Sequence, residues 1–174
     1  MVALEIEDIK GFTSDLFVGT KFDSFLLKEA RFVTFAVFDI DGKVREDYYT
    51  REEREEGKIG EYSAWSALKP VCYFLIKGKR LPGSFKLVFK LPPAAVERFL
   101  RDRGLPFAPD QVEGLYLNIR YEEQRLVCVT GTSVRMFTLD VYKRQTASWW
   151  VPIPWWPWTA RSWESRPVRR KPAP

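Results

Sequence analysis

The chain has 174 residues, 45% hydrophobic and 29% charged, with 28 basic and 23 acidic side chains, two cysteines and no histidine. That length suits one domain plus an appendage, since domains cluster near roughly 100 to 150 residues. Without histidine, serine triads and cysteine–histidine pairs in their usual form are excluded, and zinc loses its commonest ligand.

The formal net charge of +5 is spread unevenly: residues 141–174 hold seven Lys/Arg against Glu164 alone, leaving 21 basic and 22 acidic groups in residues 1–140. The body is therefore near neutral. Cys72 and Cys128 lie in the apolar runs VCYFLI and LVCVTG and read as reduced, buried, structural thiols. MVALEIEDIK lacks the basic n-region and apolar h-region of a secretory signal, and no apolar run reaches the roughly 20 residues of a membrane span. The expectation is a soluble cytoplasmic protein without a transmembrane segment.

In chain order, VALEI (2–6) reads as a strand, and Ile9, Phe12, Leu16 and Phe17 give residues 7–18 one apolar helical face. Ser24 to Ile40 is rich in β-branched and aromatic residues and reads as one or two strands, ended by an Asp41-Gly42 turn of type I′ and followed by a returning strand at 43–49. Residues 46–61 carry seven acids and three bases and form an exposed connector with a helical turn or two. SALKPVCYFLIK (66–77) is a buried helix with Pro70 in its first turn, or a buried strand; its length favours the helix. SFKLVFKL (84–91) alternates as a strand. Pro92-Pro93 then opens a helix whose apolar stripe is Val96, Phe99 and Leu100, and Gly104 closes it. GLYLNIRY (114–121), RLVCVTG (125–131) and VRMFTLD (134–140) read as three antiparallel strands.

The composition changes abruptly after these strands. Six of the seven tryptophans and six of the twelve prolines follow residue 148. The string VYKRQ resembles a translated sequencing adapter, which would make residues 141–174 an assembly artefact outside the fold. As a native tail, the same Trp/Pro/Arg-rich segment would be extended and suited to a membrane interface.

Residues 2–49 and 84–140 follow one order: strand, helix, then two or three antiparallel strands, with residues 50–83 as connector. The expected class is α+β, with duplicated β-α-β-β(-β) units forming an antiparallel sheet and helices on one face. The order of ALEIEDIKGF, FLLKEARFVTFAVFDIDG, YSAWSALKPVCYFLIKGKR, SFKLVFKL and GLYLNIRYEEQRLVCVTGTSVRMFTLD resembles a bacterial family, domain-of-unknown-function family fifty-seven twenty-one. That resemblance brings no activity with it. The duplicated unit is also similar to a DNA sliding-clamp domain, whose Thr-Gly-Thr before a third strand is matched in VTGTSVRMF. It implies DNA-facing basic side chains on the helices, here Lys10, Arg98, Arg101 and Arg103, interleaved with Asp8, Asp15, Glu97 and Asp102.

Two constellations could carry function. VTFAVFDIDGKV (33–44) resembles the first motif of haloacid-dehalogenase-type phosphatases, with Lys43 where that family prefers Thr. The resemblance implies Asp39 as phosphoryl-accepting nucleophile, Asp41 as general acid/base, Mg²⁺ against the substrate's charge and Thr130 as second-motif hydroxyl. The other constellation is basic. Lys69, Lys77, Lys79, Arg80, Lys86 and Lys90 fall in a stretch without any acid, and the loop KGKRLPGS concentrates three of them with two glycines, Gly78 and Gly83. Such a loop can meet a phosphate backbone, with Tyr73, Phe74 and Phe85 near enough in sequence to stack on bases; as a solvated rim over core aromatics it would do neither. The leading expectation is a non-catalytic binding module without cofactor or metal, contacting nucleic acid or a protein partner through Lys77, Lys79, Arg80, Lys86 and Lys90. The alternative is Mg-dependent phosphotransfer by Asp39 and Asp41.

Overall fold

The computed structural model describes residues 2–55, 59–105 and 109–134. The elements follow in chain order as β1 (Val2–Glu5), α1 (Ile9–Phe17), β2 (Leu26–Val33), β3 (Val37–Asp41), α2 (Arg51–Glu55), α3 (Trp65–Ile76), β4 (Ser84–Lys90), α4 (Pro93–Asp102), β5 (Val112–Glu122) and β6 (Arg125–Val134). The described strands form one antiparallel sheet in the order β1-β6-β5-β4-β2-β3. The class is α+β, as the sequence predicts.

Alternation in the strands gives the sheet one apolar face. Phe85, Leu87 and Phe89 of β4 stand opposite Tyr121, Ile119 and Leu117 of β5, and Phe32, Ala30 and Leu27 of β2 complete the layer. All of these are buried, together with Leu126 and Cys128 of β6. The helices cover this same face: Phe12, Leu16 and Phe17 of α1, Trp65 and Cys72 of α3, and Val96, Phe99 and Leu100 of α4 join one core. Trp65 ties two helices and the sheet together, since its Nε1–H donates to the Leu16 carbonyl (2.8 Å) while its ring meets Phe17 and Phe89 edge-on. A buried indole N–H left unpaired would be costly, so this bond fixes how α3 enters the core.

Helix ends match their residues. The Asp8 carboxylate caps α1 by accepting from Gly11 N–H at 2.9 Å. Gly104 ends α4 at φ +57°, with Leu105 N–H bonded to the Leu100 carbonyl and Gly104 N–H to the Arg101 carbonyl. Those two bonds are the Schellman pattern, which needs a left-handed residue at that place.

The two halves share their element order and a paired hairpin, β2–β3 and β5–β6, but their first strands have different neighbours. β4 lies beside β5, whereas β1 is separated from β2 by three strands and pairs with β6 instead. The predicted strand at 134–140 falls outside the described residues beyond Val134, which ends β6. Thr130, Gly131 and Thr132 continue β6 against β5.

Three local expectations are corrected. The β2–β3 hairpin turns at Thr34–Ala36, and the returning strand is 37–41, so Asp41-Gly42 is not its turn. The segment predicted as a strand at 43–49 holds a single bridge from Lys43 to Tyr62 and a 3₁₀ turn at Glu46–Tyr48. Gly42 has no positive φ; a Cβ there would stand 1.9 Å from the Leu27 carbonyl oxygen, beside a register shift in β2. Glycine is required for close backbone approach, and the type I′ geometry lies instead at Glu123 (φ 50°) and Gln124 (φ 61°) between β5 and β6. The third correction concerns α3. Pro70 sits mid-helix, and much of that helix is open to solvent. Pro70 and Ser66, whose carbonyl loses its helical donor, are both exposed, so water can take the lost bond.

Candidate nucleic-acid interface

The face of the sheet turned away from the helices carries charge. Glu29 and Arg31 of β2 stand opposite Asp41 and Asp39 of β3, and Arg31 neighbours Lys86 of β4 in register. A groove of about 660 Å³ runs over this surface, lined by Lys28, Arg31, Asp39, Asp41, Lys43 and Tyr62 among others.

Asp39 and Asp41 lie here on the sheet's edge strand. The Asp39 carboxylate accepts two hydrogen bonds from Arg31 Nη1 at 3.0 and 3.1 Å, and Asp41 Oδ1 accepts from Lys43 N–H at 2.9 Å. Thr130 is not brought to them. Four strand steps separate β6 from β3, about 19 Å at 4.8 Å per step. Thr130 also stands opposite Leu117, on the core side, whereas Asp39 faces the open side. Among the described residues no group of three or more His, Cys, Asp or Glu stands where it could hold a metal ion. Asp39 and Asp41 thus share the open face of the edge strand, and Thr130 lies apart from them.

The acid-free basic stretch divides into parts with different surroundings. Lys69, a residue of α3 itself, donates from Nζ to the Gly19 carbonyl and pairs with Asp23, with its side chain largely buried. Lys86 pairs with Glu29 at 2.6 Å on the open face. Lys90 bonds Glu61 at 2.9 Å and lies over the Tyr62 ring, 5.2 Å from its centroid. Burial works against the Lys90 ammonium, but Glu61 outweighs it and the pKa is raised; the Lys90 hydrogen bond in turn holds the Glu61 carboxyl below its usual value. Lys86 and Lys90 are therefore internally neutralised.

The loop behaves differently. Lys77 caps α3, and Lys77, Lys79 and Arg80 are exposed, with no carboxylate in salt-bridge contact among the described residues. A helix C-terminus favours cations, which accounts for their tolerance beside α3. Of the apolar flank of this loop, the sequence marks Phe74 as a stacking candidate but not Val71 or Leu81. On α3, Val71 (56% exposed) and Phe74 (75%) face outward, and Leu81 (81%) follows the cations. The 67, 70, 71, 74 spacing was legible as a helical stripe, but an apolar stripe reads by default as core.

Burial pushes both thiols, Cys72 and Cys128, up to about 12, so neither is a nucleophile near neutral pH. No described helix is long and apolar enough to cross a membrane. Of the clamp-like set, Lys10, Arg98 and Arg101 are exposed on helices α1 and α4, and Arg103 is partly buried just past α4.

The model of a family described as a family of unknown function (DUF5721) matches residues 15–150. The chain belongs to this family. The match takes in the sheet from β2 onward and ends beyond Asp140, at Trp150. No curated protein and no solved structure matches the chain. For this DUF5721 member, functional inference therefore rests on the chemistry of its own surface.

Proposed function

We propose that this protein is a non-catalytic binding module that holds a nucleic-acid backbone through the Lys77–Arg80 loop. The observation that carries this reading is the contrast in charge pairing: Lys77, Lys79 and Arg80 keep exposed ammonium and guanidinium groups free of carboxylates among the described residues, while Lys86 and Lys90 are bound to Glu29 and Glu61. A polyanion gains most from cations that need not first break an internal pair, because each phosphate contact releases condensed counterions. Gly78 lies within the cluster and Gly83 follows it, and a Cβ at Gly78 would meet nothing within 4 Å, which leaves the backbone open to a phosphate. The clamp-like helix set is a weaker contact surface, since Glu97 and Asp102 are interleaved with Arg98 and Arg101 on α4. Two free, buried cysteines fit work in a reducing, cytoplasmic compartment.

Fluorescence anisotropy with labelled mixed-sequence oligonucleotides at low salt tests the reading. Binding is expected for the full chain and should weaken at least tenfold in a Lys77→Gln/Lys79→Gln/Arg80→Gln variant with an unchanged circular dichroism spectrum. Equal affinity of the variant and the parent would refute it.

A further inference from the structure

Resting on that reading, we infer that the bound nucleic acid is single-stranded, with Phe74 as the platform on which a base stacks.

The argument starts from helix geometry. Ala67, Pro70, Val71 and Phe74 recur at i, i+3, i+4 and i+7, so they share one side of α3. The opposite side holds the buried Trp65 and Cys72. Phe74 therefore projects away from the core, and it is 75% exposed. Among the described residues no aromatic ring packs against Phe74, whereas Phe17, Phe22, Phe25, Phe32, Phe85 and Phe89 all pack against other aromatics inside.

Lys77 lies one turn further along the helix, about 4.5 Å in rise from Phe74. It also stands at i+4 from Tyr73, which is 39% exposed. The loop cations continue from there. An open aromatic ring beside a short run of unpaired cations offers a flat π-face to a base and point charges to the neighbouring phosphates, which is how single strands are held without sequence readout. A duplex hides its base faces in the stack and presents only phosphates and groove edges, so it would leave Phe74, Val71 and Leu81 facing water. The chemistry of the patch thus matches an unpaired strand better than a duplex, and charge complementarity names the occupant as polyanionic.

The experiment compares a labelled single-stranded 12-mer with the same sequence as a duplex, against the full chain, Phe74→Ala and Phe74→Tyr. The expected result is preference for the single strand, a loss of about five- to a hundredfold with Phe74→Ala, and retention with Phe74→Tyr, since tyrosine keeps the stacking face. The exposed position makes either variant safe for folding, which thermal melting checks. Equal affinity for duplex and single strand, or no effect of Phe74→Ala on single-strand binding, would overturn this inference while leaving the backbone-binding proposal intact. Absence of binding to any oligonucleotide would overturn both. Binding to vesicles rich in anionic lipid that is lost with Phe74→Ala, with no oligonucleotide bound, would assign the patch to a membrane surface instead.

Discussion

The loop 77–81 and the strand 84–90 read alike in sequence, as lysines among apolar residues with no acid between them, yet the fold gives them opposite surroundings. In β4 the apolar partners are core, since Phe85, Leu87 and Phe89 are buried, and the lysines of the same strand meet Glu29 and Glu61 from β2 and the 59–64 segment. In the loop the apolar Leu81 stays outside, and the cations have no acidic partner among the described residues. Pairing across a sheet brings in residues from distant parts of the chain, so a local absence of acids in sequence does not make a basic patch in space.

Substitutions within residues 69–90 sharpen that contrast. Phe89→Ala should cost most, about 3 to 5 kcal/mol in chemical denaturation, because it removes a fully buried ring packed against Trp65, Phe22 and Phe25. A loss under 1 kcal/mol would mean that β4 is not central to the core. Lys69→Met leaves Asp23 and the Gly19 carbonyl without their donor, and a loss of about 1 to 3 kcal/mol is expected by the same measurement.

Glu61 supplies a pH signature. Its folded pKa lies below the ordinary 4.5, so its contribution is present above about pH 4.5 and is lost as pH falls through the lower folded value. Because Glu61 is mostly exposed, the amount is within about 1 kcal/mol. Glu61→Gln should flatten the stability profile between pH 5 and pH 3, approximate limits set by that linkage; an unchanged profile would show the Lys90 pair to be energetically silent. Lys86→Gln should shift stability by no more than about 0.5 kcal/mol, since its pair with Glu29 is solvated.

Much of the architecture was legible because local signals and tertiary packing agree. The Phe12, Leu16, Phe17 spacing, the Val96, Phe99, Leu100 stripe and Gly104 each end up where periodicity and capping chemistry put them. The β2–β3 turn was not legible: Thr34-Phe35-Ala36 contains none of the usual turn residues, while Asp41-Gly42 gives a strong turn signal that serves a different need, the contact of Gly42 with the Leu27 carbonyl. At β5–β6 the flanking apolar runs marked the hairpin although Glu123 and Gln124 are poor residues for positive φ. Charge alone singles out five cations in the sequence, but it could not show that Lys86 and Lys90 would be paired, because Glu29 and Glu61 lie 57 and 29 residues away from them. Phe74 was named as a stacking candidate together with Tyr73 and Phe85. Only the fold separates them, by burying Phe85 and leaving Phe74 open.

The salt dependence of single-strand binding tests the division of the basic stretch most directly. Three phosphate contacts correspond to a slope of about −2 in log K against log salt concentration for a single strand. The account predicts that Lys77→Gln/Lys79→Gln/Arg80→Gln removes most of the slope shown by the parent protein while Lys86→Gln leaves it unchanged. A slope that survives the loop substitutions and falls with Lys86→Gln would contradict it.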